Sequence, residues 1–321
     1  MMTNSLRRWC RPKIVLVLSS LSETPAHTLQ VVSGLRRIGA RLFLVQLPVP
    51  DDVRAPGRGL PFLVPNPRAV AENHDVNASR QAFLWAEILS EVTVLKNMHV
   101  HRIPALAETL GAEMVVLTMP MIGRIPFCDG HARETDLYDS LPVPVMVFGS
   151  RMDVGKWPGC EFRRILFPIA PGPDTAQHMR FACRFARRYH GRVTVLHVFD
   201  RRGVNEHPWE RTPVALEAQL PISELKHEGI MCPMEVAVTE GYPAWKILRF
   251  NEERPHDLII LGRSGRSTVT GAIGPSVAET VIGEARCPVL LLSRGMGSAA
   301  RSTESIAQPF WPDEDRAMGP F

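Results

Sequence analysis

Residues 261–280 read LGRSGRSTVTGAIGPSVAET and combine residue types that bind anions. Gly262 and Gly265 let the backbone approach a bound group closely, because they carry no side chain. Successive backbone N–H groups in such a turn form a concavity that accepts phosphate oxygens. Arg263 and Arg266 add positive charge, although loop arginines are more often simply solvated. The spacing therefore indicates an anion-binding loop that leads into a helix.

The end of this loop allows two interpretations. Ser276 and Val277 begin a helix-like pattern, whose first N–H groups and dipole favour an anion. Pro275 lacks an N–H, so one donor is missing there. Proline is nevertheless common at the first position of a helix. Ser276 with Glu279 three residues later also fits a capping box, which is a structural role. We expect the N–H groups of Ser276 and Val277 to remain available, and the residues leave open whether the loop is a working phosphate site or its remnant.

Other catalytic and metal-binding patterns are missing from the sequence. The segment GRSGRST is not a Walker loop, because no lysine precedes the serine, and its G-x-S-G order is not a nucleophile elbow. The six cysteines lie far apart without a CxxC pair, which argues against zinc and fits a reducing compartment. We predict no catalytic residue and no metal site.

Length and charge limit the class of protein. The 321 residues suffice for two domains, and a net charge of +4 without a basic block argues against nucleic acid. No apolar run reaches the roughly 18–20 residues of a membrane span. The N-terminal arginines and apolar run suggest a signal peptide, but the same pattern recurs inside the chain, where a signal cannot lie.

The chain contains an internal repeat. Residues 13–47 align without a gap with residues 164–198. Residues 112–118 align with residues 256–262, and residues 143–149 align with residues 287–293. Two ungapped blocks in the same order indicate a duplication.

Strands and helices alternate in each half. RRILFPIA is a continuous apolar run, typical of a parallel strand that is buried on both faces, and a helix is predicted over about 209–229. This alternation predicts α/β domains with doubly wound, mainly parallel sheets, over residues 12–150 and 161–294. The polar, aperiodic tail 295–321 is predicted to be disordered.

Several residues allow both a structural and a functional interpretation. His27 and His178 recur at equivalent positions of the repeat, and a polar helix face inherited by both copies explains them better than a function. His197 is either a buried histidine, which we favour, or part of a pocket. Cys128 lies in the first half's counterpart of the loop, where a redox-sensing thiol is conceivable, but nothing in the sequence indicates the lowered pKa that this requires.

These motifs resemble the universal stress protein family. The resemblance is carried by a strand ILFP, a strand ending LHV, a Gly-x-Pro-Ala before a helix, and LIILGxxG…SVAETV…CPVLLL. Because it covers both halves, the chain resembles a tandem two-domain member. The resemblance implies two five-stranded parallel α/β domains that form an internal pseudo-dimer through their last strands, and it leaves a homodimer open.

The resemblance also implies an ATP site, with magnesium, in the second half. Nucleotide-binding members have a loop of the form Gly, two residues, Gly, nine residues, Gly, then Ser or Thr. On this pattern the predicted binding residues are Pro168, Ala170, Val198, Gly262, Arg263, Gly265, Arg266, Gly274, Ser276 and Val277.

Two positions depart from the family pattern. Pro275 stands in place of the third glycine, with Gly274 one place early, and Ala170 stands where nucleotide-binding members carry an Asp for the nucleoside pocket. The first half departs further, because Thr118 and Met121 replace the first two glycines. We therefore predict no nucleotide site in the first half.

The leading hypothesis is a cytoplasmic, non-enzymatic stress-response protein in which ATP is a regulatory ligand of the second half. Slow ATP hydrolysis is the most that the residues allow. The alternative is a protein-interaction module of the same fold that binds no nucleotide and acts on an unknown protein partner. Pro275 and Ala170 favour the alternative, whereas Gly262, Gly265 and Ser276 oppose it. Neither hypothesis involves nucleic acid or a membrane.

Overall fold

The computed structural model divides into two compact units, with a boundary between Cys160 and Glu161. It describes residues 13–18, 31–32, 34–35, 41–46, 93–95, 100–118, 138, 140–141, 143–149, 151–152, 161–170, 172, 174–199, 212–262 and 276–292. The predicted tail and most of the loop that follows Gly262 lie outside these residues.

The described part of the first unit contains parallel strands and one α-helix whose first and last residues are both described. The strands are β1 (Lys13–Leu18), β2 (Arg41–Gln46), β3 (Thr93–Leu95), β4 (Met114–Thr118) and β5 (Val145–Phe148). They pair in the order β3-β2-β1-β4-β5. A 3-10 turn (Val100–Arg102) leads into α1 (Ile103–Leu110), which ends at Gly111 with a left-handed φ of 58°. All four residues of β5 are buried, as expected of a strand covered on both faces.

The described residues of the second unit form five parallel strands. They are β6 (Arg164–Ile169), β7 (Arg192–Phe199), β8 (Met234–Glu240), β9 (Leu258–Leu261) and β10 (Val289–Leu291). They pair in the order β8-β7-β6-β9-β10. The predicted α/β fold with a parallel sheet is confirmed.

Five α-helices connect these strands among the described residues of the second unit. They are α2 (Thr175–Arg188), α3 (Pro213–Gln219), α4 (Ile222–His227), α5 (Pro243–Glu253) and α6 (Val277–Glu284). The prediction of one helix over 209–229 was wrong, because the chain breaks at Leu220, where ψ is 148°. Pro221 follows, and a proline pushes the preceding residue into extended backbone. No described helix is long and apolar enough to cross a membrane.

A carboxylate fixes the pairing of β6 with β9. Asp257 accepts hydrogen bonds at Oδ2 from the backbone N–H groups of Arg163 (3.1 Å) and Arg164 (2.8 Å). In return, the N–H of Asp257 donates to the carbonyl of Arg164 at 2.7 Å, and the Arg164 guanidinium reaches Oδ1 at 3.2 Å. Ile165 then pairs with Leu258 and Leu166 with Ile259, so this contact sets the register of the two strands.

A polar cluster lies beside this contact. His256 Nε2 is 3.2 Å from Thr194 Oγ1, and its Nδ1 is 3.2 Å from Asn251 Oδ1. The Asn251 amide also donates to Cys287 Sγ at 3.6 Å. Burial, together with the charge of Arg164, lowers the pKa of His256 to about 4. The ring is therefore neutral at neutral pH and serves as a hydrogen-bonding part of the core.

An aromatic cluster joins α2 to the start of β6. The ring centroid of Phe185 is 5.5 Å from that of Phe162 and 4.8 Å from that of Tyr189, separations typical of favourable aromatic pairs. The chain turns from α2 into β7 at Gly191, directly against the Phe162 carbonyl. A residue without a side chain is needed at this turn.

Gly191→Ala should lower the free energy of unfolding by about 1–3 kcal/mol, as overpacking usually does. A Cβ there would lie 2.5 Å from the Phe162 carbonyl oxygen, which is backbone and cannot rotate away. Urea unfolding followed by tryptophan fluorescence measures the effect. Gly283→Ala is the control, because no atom lies within 4 Å of its Cβ and alanine favours a helix by up to about 1 kcal/mol. Equal destabilisation of both variants would contradict this account.

Stability should fall as the pH drops from about 6.5 towards about 4, because the unfolded chain then protonates residue 256 while the folded chain resists it. Above pH 6.5 both states are neutral at this residue and it contributes no pH dependence. The measurement is the urea midpoint at pH 7.5 and pH 5 for the wild type and for His256→Gln. The variant should show a smaller decrease between these pH values, and an unchanged decrease would exclude His256 as a source of it.

Candidate functional site

The candidate site lies where the sheet of the second unit reverses its strand order. From β6 the chain continues outward to β7 and β8, whereas β9 and β10 lie on the other side of β6. In open parallel sheets, a crevice forms at the carboxyl ends of the strands at such a reversal, and ligands bind there. The crevice of this unit is therefore flanked by the ends of β6 and β9.

The structure brings four of the predicted site residues to the carboxyl ends of neighbouring strands. Pro168 is buried within β6 and pairs with Leu196 of β7. Ala170 follows β6 and is exposed, Val198 is half-buried in β7, and Gly262 directly follows β9. The predicted residues Arg263, Gly265, Arg266 and Gly274 lie outside the described residues.

His178 packs directly on Gly262. A Cβ placed on Gly262 would lie 2.7 Å from His178 Nδ1 and 3.1 Å from Cε1. The imidazole is half-buried, and burial lowers the pKa of His178, with the Asp174 carboxylate partly opposing this. The ring is thus mainly neutral at neutral pH and offers one donor and one acceptor. His178 lies at the candidate crevice, a position that the interpretation as an inherited polar helix face does not predict.

The first turn of α2 positions His178. Asp174 is the N-cap residue of α2, but its side chain makes no capping hydrogen bond. Its carbonyl accepts the His178 N–H at 3.0 Å. Thr175 Oγ1 accepts instead from the N–H of Gly172 at 2.8 Å, which closes the turn between β6 and α2. These hydrogen bonds fix the position of the His178 ring beside the end of β6.

The start of α6 forms the predicted capping box. Ser276 Oγ accepts the Glu279 N–H at 3.1 Å, and the Glu279 carboxylate accepts the Ser276 N–H. The expectation that the Ser276 N–H remains available was therefore wrong, because an acidic side chain of the same helix already takes it. Helices of parallel crossovers run against the strands, so this end of α6 faces the crevice edge of the sheet.

His197 has a structural role on the neighbouring strand. Its Nδ1 lies 2.8 Å from the carbonyl oxygen of Ile169, and its ring contacts Phe199 edge-on at 4.4 Å. The side chain is half-buried, so the favoured prediction of a buried histidine holds only in part. His27 and Cys128 lie outside the described residues.

No group of three or more possible metal ligands occurs among the described residues. Asp174 and Glu279 are acidic residues at the crevice edge in the described part; the charge of Asp174 acts on His178, and the Glu279 carboxylate is engaged in the capping box. The described edge of the crevice therefore combines backbone groups, small side chains, the neutral imidazole of His178 and the Asp174 carboxylate.

Comparison with known proteins identifies the class of the second unit. Residues 161–293 match the model of the Universal stress protein family. A universal stress protein of Methanocaldococcus jannaschii is 27% identical over 141 residues, covering 41% of this chain and 83% of that protein. The C-terminal half therefore contains a domain of the universal stress protein family.

Solved structures share the fold. A universal stress protein from Archaeoglobus fulgidus superposes with a TM-score of 0.52 at 17% identity, covering 88% of this chain and 96% of its own. A protein of unknown function from Pseudomonas aeruginosa gives a TM-score of 0.51 at 16% identity, covering 90% of this chain and 95% of its own. At these identities the likeness concerns the fold alone.

Gly262→Ala should lower the free energy of unfolding by about 0.5–1.5 kcal/mol, because the new methyl group pushes the His178 ring away from its preferred rotamer. The double variant His178→Ala, Gly262→Ala should lose less than the sum of the two single variants, since the small residue removes the collision. Urea unfolding of all four proteins measures this coupling. Gly172→Ala is the control, with a nearest contact of 3.8 Å. Strict additivity would show that the two residues are not in contact.

Proposed function

We propose that this protein is a non-enzymatic regulatory protein of the universal stress type, and that its second unit binds ATP with magnesium in the crevice between β6 and β9. The observation that carries the proposal is the position of Gly262. This glycine directly follows β9 at the reversal of strand order, where backbone N–H groups that follow a strand can approach phosphates closely.

The residues at the crevice support a hydrogen bond from a neutral side chain to the nucleoside and hydrogen bonds from backbone N–H groups to the phosphates. Ala170 is exposed at the end of β6 and cannot supply the carboxylate that nucleotide-binding relatives carry there. His178 is the polar side chain beside Gly262, and its neutral ring can donate one hydrogen bond to a phosphate or ribose oxygen. ATP would then stabilise the folded unit by mass action.

We also propose that the repeat makes the chain a tandem member, with no nucleotide site in the first unit. The strand order of the first unit, β3-β2-β1-β4-β5, follows the same sequence of pairings as that of the second. The three cysteines described in the second unit are free thiols, which supports a cytoplasmic setting. Association of the two halves or of two chains stays a prediction.

A second candidate function is a protein-interaction module that binds no nucleotide. Two observations favour it. The His178 ring fills space over Gly262 that a ligand would need, and the Glu279 carboxylate takes the Ser276 N–H. On this hypothesis Gly262 leaves room for the His178 ring, and the Ser276 N–H donates to Glu279 rather than to a ligand.

Calorimetric titration with ATP and magnesium distinguishes the two functions. The proposed site predicts saturable binding near one ATP per chain, at micromolar concentration, which is lost in Gly265→Arg because a long side chain replaces a glycine of the predicted phosphate-binding pattern. Circular dichroism of the variant confirms that it folds. Absence of binding by the wild type, with no nucleotide released on denaturing the fresh protein, would favour the interaction module.

Glu279→Gln tests whether the helix start contributes to the site. Glutamine can still cap the helix, but it removes the negative charge next to the Ser276 N–H. ATP affinity should rise several-fold while the urea midpoint changes little, because like charges repel and helix caps contribute only about 1 kcal/mol. Glu253→Gln, an exposed carboxylate of α5 that is paired with Arg249, is the charge-matched control and should leave the affinity unchanged. An equal effect of both substitutions would assign the change to net charge alone.

A further inference from the structure

His178 places a ring nitrogen against the backbone that follows β9. Of its ring atoms, Nδ1 lies nearest to Gly262, at 2.7 Å from the position that a Cβ of this residue would take, and Cε1 lies at 3.1 Å from the same position. Gly262 is also the residue at which a phosphate would approach the backbone in the proposed site. A phosphate oxygen at this glycine therefore meets a nitrogen of the ring, and the protonation of that nitrogen decides whether the contact is favourable.

The neutral ring is poorly suited to this contact. A neutral imidazole has one nitrogen that donates and one that only accepts, whereas an imidazolium donates from both. When Nδ1 of His178 is the acceptor, its lone pair faces the lone pairs of the phosphate oxygen. The protonated ring donates from Nδ1 in every case, and it forms a charge-assisted hydrogen bond, which is shorter and stronger than a neutral one.

The charge of Asp174 also favours the protonated ring. This residue is the N-cap of α2, and its side chain makes no capping hydrogen bond. In the free protein, burial lowers the pKa of His178, and the Asp174 carboxylate partly opposes this effect. A phosphate at Gly262 would add a second negative charge beside the ring, and a nearby opposite charge stabilises the charged form of a group. A bound phosphate therefore shifts the balance towards the imidazolium.

The other elements that pack against α2 do not compete for this role. The strands β6 and β7 pack against it, and their charged residues lie at the strand starts, at the opposite edge of the sheet: Arg164 and Arg192. The titratable His197 of β7 is engaged with the carbonyl of Ile169, and β9 contains only leucine and isoleucine. Two carboxylates of α4 face α2, where Arg180 binds both, and the Glu279 carboxylate is held in the capping box.

We propose that His178 couples ligand binding at the crevice to proton uptake, so that a ligand which brings a phosphate to Gly262 also draws a proton onto the His178 ring. This inference rests on the proposed function, because it concerns the same crevice and the same phosphate-bearing ligand. The proton comes from water or buffer and leaves again with the ligand, and no covalent bond to the ligand forms. The crevice then binds the nucleotide more tightly as the pH falls.

The pH dependence has a defined direction and two limits. Above the ring pKa of the complex, the ring is neutral with and without ligand, and His178 contributes no pH dependence. As the pH falls through that value, only the complex takes up a proton, so the affinity rises. The rise ends below the ring pKa of the free protein, which burial holds under the ordinary value of 6.5. Each unit by which the ligand raises the pKa corresponds to about a tenfold gain in affinity.

Calorimetric titration of the full-length protein with ATP and magnesium at pH 6.5, in two buffers of different ionisation enthalpy, counts the protons taken up. His178→Asn is the test variant, because its amide can form a hydrogen bond near the position of Nδ1 but cannot be protonated. The wild type should take up a larger fraction of a proton per ATP than the variant, and its affinity should rise more between pH 7.5 and pH 6. Protons exchanged by ATP itself are common to both proteins and cancel. His256→Gln, at the other end of β9, is the control and should behave as the wild type.

The possible results separate this inference from the proposed function. Equal proton uptake by the wild type and by His178→Asn, with ATP bound to both, would overturn the coupling and leave the nucleotide site standing. Absence of ATP binding by the wild type would overturn both.

An NMR pH titration of the His178 ring in the wild type is the second readout, and it decides the question if His178→Asn does not fold. Saturating ATP with magnesium should raise the midpoint of the ring by about one pH unit or more. Asp174→Asn should lower the midpoint in the free protein, because it removes the charge that favours the imidazolium. A ring midpoint that ATP leaves unchanged would overturn the coupling.

Discussion

The contact between Asp257 and Arg164 is the constraint on which the candidate site depends. It joins the start of β9 to the start of β6 through backbone donors of both strands and one guanidinium. The side-chain period of a strand is two, so a slip of one residue would turn every side chain to the other face of the sheet. With the register fixed at Asp257, the four residues of β9 end at Leu261, and Gly262 follows them beside the turn that carries His178. The geometry of the crevice is thus set at the opposite end of the strands.

Gly262 has two possible uses that a sequence motif does not distinguish. A glycine can let backbone approach a phosphate, or it can leave room for a neighbouring side chain. The His178 ring occupies the space in which a Cβ of residue 262 would lie, so the second use is realised in this structure. The first use then requires that the ligand either bind beside the ring or move it. A rotation of one histidine side chain is a small change compared with a backbone rearrangement, so the present position of the ring does not decide between the two functions.

Features that depend on local chain chemistry could be predicted from the sequence, and features that depend on distant contacts could not. The parallel strands followed from apolar runs such as RILFPI, and the capping box followed from a serine and a glutamate three residues apart. The break at Leu220 was missed because the helical periodicity continues through Pro221, although the proline was a usable signal. The contact of His178 with Gly262 joins residues far apart in the sequence, and no periodicity encodes it. The recurrence of histidine in the repeat drew attention to this position but gave no information about its neighbour.

The capping box links the stability of α6 to ligand binding. The N–H of Ser276 can donate to the Glu279 carboxylate or to a bound anion, and the carboxylate holds it in the free protein. A phosphate that takes this donor must displace an ionised side chain that the helix dipole also favours. The net gain is then the difference between two charge-assisted hydrogen bonds and is much smaller than either of them. An anion therefore gains little at this helix start.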